Sequence, residues 1–296
     1  MEVLKACPLC NATDLSVALS CQDYTVSHEV FTLQQCNACG FLMTNPRPDE
    51  TSLPRYYESP AYISHTNTSA SLIDRAYKFA RTFTLRWKLK IVCRHAQYPP
   101  TSLLDYGCGT GAFLTHCKQN KLHTTGVEPS ATARAQAIES SGSPIFSTIH
   151  DIKEKVDAIT LWHVLEHVAD LDGTLQALAS RLNPRGTMFI AVPNYKSLDA
   201  SHYHHHWAAY DVPRHLWHFS RFTITRLLER NNLNLVAVRP MPLDAYYVSL
   251  LSEKYKAGRH SASTLVSACL RAWQSNRHAR NTHEYSSLIY IVRKQS

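Results

Sequence analysis

The sequence has 296 residues, of which 44% are hydrophobic and 18% are charged. These proportions are typical of a globular protein with one full-sized α/β domain and a smaller attached module. The formal net charge is +8, and most of the basic excess follows residue 240, so the central part is nearly neutral. Apolar runs are too short for a membrane-spanning helix, and the N-terminus lacks a signal peptide core. We therefore expect a cytoplasmic protein without membrane insertion.

Two CxxC pairs stand near the N-terminus, Cys7 with Cys10 and Cys36 with Cys39. Each pair can present two thiolates from one turn, and two such turns complete a tetrahedral zinc site. Four protein ligands leave no open position, so we expect a structural zinc ion in a ribbon over residues 1–45. The alternative is two unrelated turns with free thiols. The odd total of nine cysteines argues against a disulfide framework.

A connecting segment over residues 46–98 contains Tyr56, Tyr57 and Tyr62. Its apolar spacing predicts a basic amphipathic helix over about residues 71–95. The aromatic residues are expected to pack between the two modules, or to form a lid over the substrate. The basic residues are expected to form a solvated helix face, with attraction of an anionic partner as the alternative.

A glycine-rich turn follows a short apolar strand over residues 101–106 and precedes a helix. Strand, glycine turn and helix are the arrangement that holds a nucleotide at the end of a parallel sheet. The glycines alone fit either a dinucleotide or S-adenosylmethionine (SAM). Asp105 favours SAM, because a carboxylate at the strand end attracts the methionine ammonium group and repels a pyrophosphate. Glu128 ends the next strand, at a spacing where an acid can accept both ribose hydroxyls.

Four segments of the chain resemble motifs of the class I SAM-dependent methyltransferases. They are DYGCGTG at residues 105–111, GVEPS at 126–130, DAITLWHVLEHV at 157–168 and LNPRGTMFIAVPN at 182–194. The resemblance implies a Rossmann-like α/β domain over residues 99–296. Its sheet would have seven strands in the order 3-2-1-4-5-7-6, with strand 7 antiparallel.

Within that domain, the resemblance implies strand 6 at residues 233–239, strand 7 at 287–293 and a helical insertion over 241–285. The HVLEHV run is expected to be a helix, and LNPRG a helix end followed by a turn. The cofactor would be SAM. Its predicted contacts are Asp105, Gly107, Cys108, Gly109, Gly111, Glu128, Pro129, Leu161, Trp162 and His163.

The HVLEHV run most resembles quinone-biosynthesis O-methyltransferases, and the zinc ribbon resembles that of certain sugar C-methyltransferases. On a helix, His163, Glu166 and His167 would share one face beside the cofactor. They would form a base with its orienting carboxylate, or an open divalent-metal site. In the quinone enzymes the corresponding positions are linked to metal, but there the first is an acid. The alternative is a helix whose polar groups bond one another.

A second candidate region is the histidine-rich and aromatic segment over residues 201–220, which follows strand 5. We expect it to cap the substrate, because acceptors bind beyond the carboxyl ends of the strands. His215 is the leading base, with His163 and His167 as the other candidates. The alternative is a structural corner pinned by an Arg214–Asp211 pair. The predicted substrate contacts are Tyr210, Arg214, His215 and Tyr246.

These features predict transfer of a methyl group from SAM to a small-molecule or biosynthetic-intermediate acceptor. The near-neutral centre disfavours a polymeric substrate. One alternative is an RNA or protein methyltransferase that docks through the zinc ribbon and basic segments. Another is a SAM-binding regulatory subunit without catalysis. The sequence sets no oligomeric state.

Overall fold

The computed structural model describes residues 1–58, 72–259 and 261–295, with the backbone alone for residues 72–82. Tyr62 and Ser71, which belong to the predicted connecting segment, lie outside the described residues.

Within the described residues, eleven strands form two sheets. The strands are β1 (Leu15–Gln22), β2 (Val30–Cys36), β3 (Leu42–Thr44), β4 (Ser102–Tyr106), β5 (His123–Val127), β6 (Ile145–Phe146), β7 (Val156–Trp162), β8 (Leu182–Pro193), β9 (Trp217–His218), β10 (Leu233–Pro240) and β11 (Ser287–Lys294).

Eight α-helices connect or cover the strands in the same part of the chain. They are α1 (Leu72–His95), α2 (Ala112–Gln119), α3 (Ala131–Ser141), α4 (Leu171–Ser180), α5 (Leu198–Tyr203), α6 (Arg221–Arg230), α7 (Pro242–Ala257) and α8 (Ala262–Thr282). No helix of the described residues is both long and apolar enough to cross a bilayer.

The larger sheet has the order β10-β11-β8-β7-β4-β5-β6. Strands β4 to β8 are parallel, and β11 runs antiparallel between β8 and β10. Numbered within the domain, this order is the predicted 3-2-1-4-5-7-6, so the expected Rossmann-like topology is confirmed. The central strands β7 and β8 are buried because helices cover both faces of a parallel sheet.

Two local expectations were wrong. The HVLEHV run contains only a 3₁₀ turn at Leu165–His167, which ends before Val168. Residues 182–186 do not close a helix, because α4 ends at Ser180 and β8 already begins at Leu182. In both places, pairing of β7 with β8 and packing against distant segments override the local preference.

The smaller sheet joins the N-terminal ribbon to the 201–220 segment. Strands β1, β2 and β3 pair antiparallel, and β9 adds a fourth strand along β3. Thr44 strengthens this junction: its backbone N–H donates to the Leu216 carbonyl at 3.0 Å, and its hydroxyl donates to the His215 carbonyl at 2.7 Å. The ribbon therefore supports the segment that carries the candidate base.

Candidate functional site

The glycine loop after β4 presents one open position at the carboxyl end of the sheet. Gly107, Gly109 and Gly111 all have positive φ, at 73°, 54° and 78°. A Cβ on Gly107 would meet the Val164 side chain at 2.6 Å, whereas a Cβ on Gly109 would have no neighbour within 4 Å. Gly109 therefore faces open space, where a ligand can approach the backbone closely.

Glu128 lies beside this loop at the end of β5. Its Oε2 accepts the backbone N–H of Gly109 at 2.9 Å, and its Oε1 accepts that of Ser130 at 2.9 Å. Both carboxylate oxygens are thus oriented by the backbone, and each retains accepting capacity for a further donor. This is the position expected for an acid that binds ribose hydroxyls.

Asp105 ends β4 and is buried. Its Oδ1 accepts a hydrogen bond from the Thr160 hydroxyl at 2.6 Å. Burial raises the pKa of Asp105 to about 7, because the charged carboxylate loses its hydration, although Thr160 and the nearby Lys88 charge oppose this shift. A cationic ligand group beside Asp105 would therefore stabilise the ionised form of its carboxylate.

Lys88 is a candidate that the sequence motifs did not identify. It projects from α1, and its ammonium group lies 4.6 Å from the centre of the Trp162 ring. Burial lowers the pKa of Lys88, while the charges of Asp105 and Asp244 oppose that change. The only sequence signal was the run of basic residues in the predicted helix. It did not indicate which of their side chains would face the cofactor site.

The other predicted cofactor residues lie around the same loop. Leu161 is buried in β7, and Trp162 stacks edge-on against Phe113 with its indole nitrogen buried and without a hydrogen-bond partner in the described structure. Cys108 is buried, and Pro129 is exposed after Glu128. Burial also raises the pKa of the Cys108 thiol, which keeps it protonated.

His163 is held between two carboxylates. Its Nε2 donates to Asp244 Oδ2 at 2.8 Å, and its Nδ1 lies 3.3 Å from Glu166 Oε1. Burial alone would lower the pKa of His163, but the two carboxylates raise it to about 10. The ring is therefore an imidazolium at neutral pH, which does not fit the expected neutral base. Asp244, the partner from α7, had no signal in the sequence.

We define the acceptor cluster as Glu166, His167 and His215, whose ligand atoms all lie within 4.8 Å of one another. The two imidazole rings pack edge to face, with centroids 4.5 Å apart. His167 Nδ1 lies 3.0 Å from the Arg214 carbonyl, and His215 Nδ1 lies 2.9 Å from the Ala209 carbonyl. A carbonyl only accepts, so each Nδ1 carries the hydrogen and each Nε2 keeps its lone pair.

Two further groups, Tyr57 and Asp211, lie beside the acceptor cluster. Burial lowers the pKa of His167 to about 4, and the neighbouring His215 ring adds to this effect, so His167 is neutral at pH 7. The Tyr57 hydroxyl lies 3.0 Å from His167 Nδ1. Asp211 Oδ2 lies 3.9 Å from His215 Nε2.

Glu166 is fully buried, and neither of its carboxylate oxygens has a hydrogen bond from a described residue. Its contact with His163 is an ion pair without hydrogen-bond geometry. Burial raises the pKa of Glu166, but the contact with His163 and the neighbouring His215 and His167 rings outweigh it and hold that pKa low. His163 supplies a positive charge nearby, but neither Glu166 oxygen has a hydrogen-bond donor among the described residues, so a bound metal ion or a ligand donor would satisfy this carboxylate.

The structure places the other predicted substrate residues elsewhere. The Arg214 guanidinium is only 1% exposed and bonds Asp211, Asp23 and the Tyr56 carbonyl, at distances of 2.6 to 2.9 Å. This is the structural corner that was the alternative, and it ties the ribbon to the 201–220 segment. Tyr210 is buried against Trp207 and His218, and Tyr246 is exposed on α7.

The four N-terminal cysteines come together as predicted, with their sulfur atoms within 4.8 Å of one another. Cys7 Sγ lies 3.6 Å from Cys39 Sγ, and Cys10 Sγ lies 3.5 Å from Cys36 Sγ. A tetrahedron with Zn–S bonds of about 2.3 Å has edges of about 3.8 Å. The observed separations approach these edges and are far longer than a disulfide bond.

Comparison with known proteins agrees with this architecture. The sequence profile of a family described as a methyltransferase domain matches residues 74–238. The magnesium protoporphyrin IX methyltransferase of Synechocystis PCC 6803, solved with bound SAH, superposes with a TM-score of 0.54. That match covers 84% of this chain and all of the other at 13% identity, which shows a shared fold.

Curated relatives include two ubiquinone biosynthesis O-methyltransferases. The protein of Chelativorans sp. (strain BNC1) is 36% identical over 101 residues, which are 31% of this chain and 40% of the relative. The protein of Nitrobacter winogradskyi (strain ATCC 25391 / DSM 10237 / CIP 104748 / NCIMB 11846 / Nb-255) is 30% identical over 151 residues, which are 45% of this chain and 56% of the relative. The chain thus spans about half the length of the curated relatives it matches.

Proposed function

The chain belongs to the methyltransferase-domain family, and from this premise we propose that it transfers a methyl group from SAM to a small-molecule acceptor. The observation that carries the proposal is the pair of acids around the open Gly109. Asp105 lies near the carboxyl end of β4 and Glu128 directly follows β5, so one ligand can meet both carboxylates together. A dinucleotide pyrophosphate beside Asp105 would be repelled.

The residues around the glycine loop fit SAM by their chemistry. Asp105 would attract the methionine ammonium group, Lys88 the carboxylate, and Glu128 the ribose hydroxyls. When bound, SAM supplies an electrophilic methyl group. The protein's own task is to orient the acceptor and remove its proton where the acceptor atom carries one.

We assign proton removal to His215. Its Nδ1 is anchored by the Ala209 carbonyl, so the Nε2 lone pair has a defined direction. Asp211 stabilises the imidazolium once the proton has been taken up. His167 is the second candidate, but a pKa of about 4 makes it a weaker base. His163 is assigned a charged positioning role, because Asp244 and Glu166 keep it protonated.

The unsatisfied Glu166 carboxylate supports a second candidate role for the acceptor cluster. A divalent metal ion would be bound by Glu166, His167 Nε2 and His215 Nε2, rather than by the expected His163. The Nδ1–H bonds to backbone carbonyls are the orienting contacts that metal-binding histidines commonly make. Metal analysis after exhaustive chelation separates the two roles. If turnover persists without this metal, the cluster acts through His215 as a general base. If turnover is restored only by added metal, the cluster acts as a metal-binding site.

We further propose that Cys7, Cys10, Cys36 and Cys39 bind one structural zinc ion. The sulfur separations support this site, and a buried cluster of four thiolates needs a cation to offset its charge. The ion would supply folding energy to a ribbon that is too small to bury a stable core of its own. Reduced thiolates also fit our expectation of a cytoplasmic location.

The acceptor is proposed to be a small molecule because the acceptor cluster is enclosed. Glu166 and His215 are buried, and the surrounding aromatic segment packs onto the ribbon. The curated relatives described above are named for ubiquinone biosynthesis, which agrees with a biosynthetic intermediate as acceptor. The near-neutral central domain does not favour the RNA alternative.

The experiment that tests this function combines the purified protein with SAM carrying an isotopically labelled methyl group. Small-molecule extracts from cells are the source of acceptors, and mass spectrometry detects labelled products. We expect the label in a small molecule, and much less label when Glu128→Ala replaces the wild-type protein at a SAM concentration that does not saturate the variant. Tight SAM binding without any labelled product would instead support the regulatory subunit. Label in RNA or protein would support the polymer methyltransferase.

A further inference from the structure

Helix α8 carries its large apolar side chains on the outside. Its buried positions hold small residues, namely Thr264, Ala268, Ala272, Ser275 and Ala279. Val266, Leu270 and Trp273 are 60%, 55% and 50% exposed. A helix that only packs on its own domain has the reverse arrangement, because apolar burial stabilises the fold.

The exposed apolar residues form one stripe. Val266, Leu270, Trp273, Arg277 and Arg280 follow one another at intervals of three or four residues, which places them along one side of the helix. The Arg277 guanidinium lies 5.3 Å from the centre of the Trp273 ring. We call these five residues the outer stripe of α8. The first half of this face, which includes Val266 and Leu270, is open to solvent.

The outer stripe lies between basic groups. At its C-terminal end the stripe finishes with Arg277 and Arg280. Near its N-terminal end, around the turn between α7 and α8, three further basic residues are exposed: Lys254, Lys256 and Arg259. This surface is cationic as well as apolar.

The acidic residues of the same region accept hydrogen bonds from other residues of the protein. Asp244 accepts from His163, and Glu253 accepts from Tyr203 at 3.1 Å and Ser267 at 2.6 Å. Glu284 accepts from Asn194 at 2.7 Å. The outer stripe therefore has no acidic residue of residues 241–295 to neutralise it.

We propose that the outer stripe of α8 binds the surface of an anionic lipid bilayer. A second copy of the chain would bring two cationic faces together, which electrostatic repulsion opposes. RNA would neutralise the arginines but would bury neither Val266 nor Leu270. An anionic bilayer accommodates both features, because the apolar side chains can be buried among the acyl chains while the basic side chains contact the headgroup phosphates.

Vesicle sedimentation of the full-length protein tests this surface. We expect binding to vesicles of phosphatidylcholine and phosphatidylglycerol in equal amounts, at least about tenfold tighter than to phosphatidylcholine alone. Binding should weaken as salt is added, because salt screens the basic groups. Trp273 fluorescence should shift to shorter wavelength on binding, and Trp273→Phe should remove that shift.

One double variant and a matched control identify the surface. Trp273→Ser with Arg277→Glu should weaken vesicle binding more than about tenfold, because an apolar side chain and a charge are both lost. Phe222→Ser with Arg226→Glu is the control, since that pair is also exposed at i, i+4 on α6, with the guanidinium 5.7 Å from the ring centre. Thermal melting verifies that both variants are folded.

Several results would overturn the proposal. They are no binding to anionic vesicles, equal losses in the variant and its control, or binding to RNA with no binding to vesicles. A stable dimer in light scattering that Trp273→Ser dissociates would assign the stripe to a second copy instead. Vesicle binding is measured without methyl transfer, so its outcome is independent of the function proposed above.

Discussion

The cofactor side and the acceptor side of this site are built in different ways. The cofactor side takes the glycine loop, Asp105 and Glu128 from one short stretch, residues 105–128. The acceptor side is assembled from three separate parts of the chain: the connecting segment, the turn after β7 and the 201–220 segment. The N-terminal ribbon packs against the last of these through the pairing of β3 with β9.

The two sides should therefore differ in how they respond to the loss of distant contacts. The cofactor side depends on neighbouring strands of one parallel sheet, whose register fixes Asp105 opposite Gly126. The acceptor side depends on contacts over long separations, such as the Arg214–Asp23 ion pair. Loss of the ribbon should therefore impair the acceptor side and leave cofactor binding largely intact.

The largest expected effect comes from removing one zinc ligand. Cys36→Ser should lose zinc and release β3 and β9, because a structural metal supplies folding energy to its module. Turnover should fall more than about 10²-fold, while SAM affinity stays within about threefold, as the base loses its support. Metal analysis and calorimetry measure the two quantities, with exposed Cys93→Ser as the control. Equal losses of SAM binding and turnover would refute the separation of the two sides.

The next effect concerns the base itself. His215→Ala should reduce kcat by about 10²–10⁴-fold, the usual scale for a lost general base. SAM affinity should be unchanged, because Glu128 and Asp105 lie on the other side. His204→Ala, on an exposed ring of the same segment, is the matched control. If His215→Ala keeps normal kcat and His167→Ala abolishes it, the base is His167.

On the cofactor side, Glu128→Ala should weaken SAM binding by about 1.5–3 kcal/mol, the scale of a hydrogen bond to a charged group. Calorimetry measures this change, and kcat at saturating SAM should stay near that of the wild type. Glu139→Ala, on the exposed face of α3, controls for the loss of a surface charge. An unchanged SAM affinity would remove Glu128 from the site.

Lys88 sharpens the assignment of the methionine end. Lys88→Met should weaken binding of S-adenosylhomocysteine by about tenfold, because the carboxylate loses a charged partner. Binding of 5′-methylthioadenosine, which lacks that carboxylate, should not change. Equal losses for both ligands would mean that Lys88 acts on the packing of Trp162 and not on the carboxylate.

The smallest expected effect is a pH dependence of SAM binding. Asp105 attracts the ammonium group only when ionised, and its raised pKa of about 7 means that protonation begins near neutrality. SAM affinity should therefore fall by up to about tenfold as pH decreases from 8 to 6. Because the folded state holds this proton more tightly than the unfolded state, Asp105 contributes less stability to the cofactor-free protein as pH rises through this range. Calorimetry across pH should show the dependence in the wild type and not in Asp105→Asn.

Features that a local pattern encodes could be predicted from the amino-acid sequence alone. The glycine turn, the acids after two strands and the two CxxC pairs each depend on residues a few positions apart. The order of the seven strands followed from motifs at known places in a shared fold, and the structure confirmed it. Short-range spacing suffices here because neighbouring strand ends and tight turns bring these groups together wherever they form.

The charge on His163 and the membership of the acceptor cluster depend instead on contacts between distant parts of the chain. His163 is charged because Asp244 reaches it from α7, and Arg214 is buried because Asp23 meets it from the ribbon. The HVLEHV run did not become a helix, since its side chains bond to distant segments instead of facing one another along a helix. Such contacts join residues separated by tens to hundreds of positions, and no local periodicity records them, because burial and pairing arise only when the chain has folded.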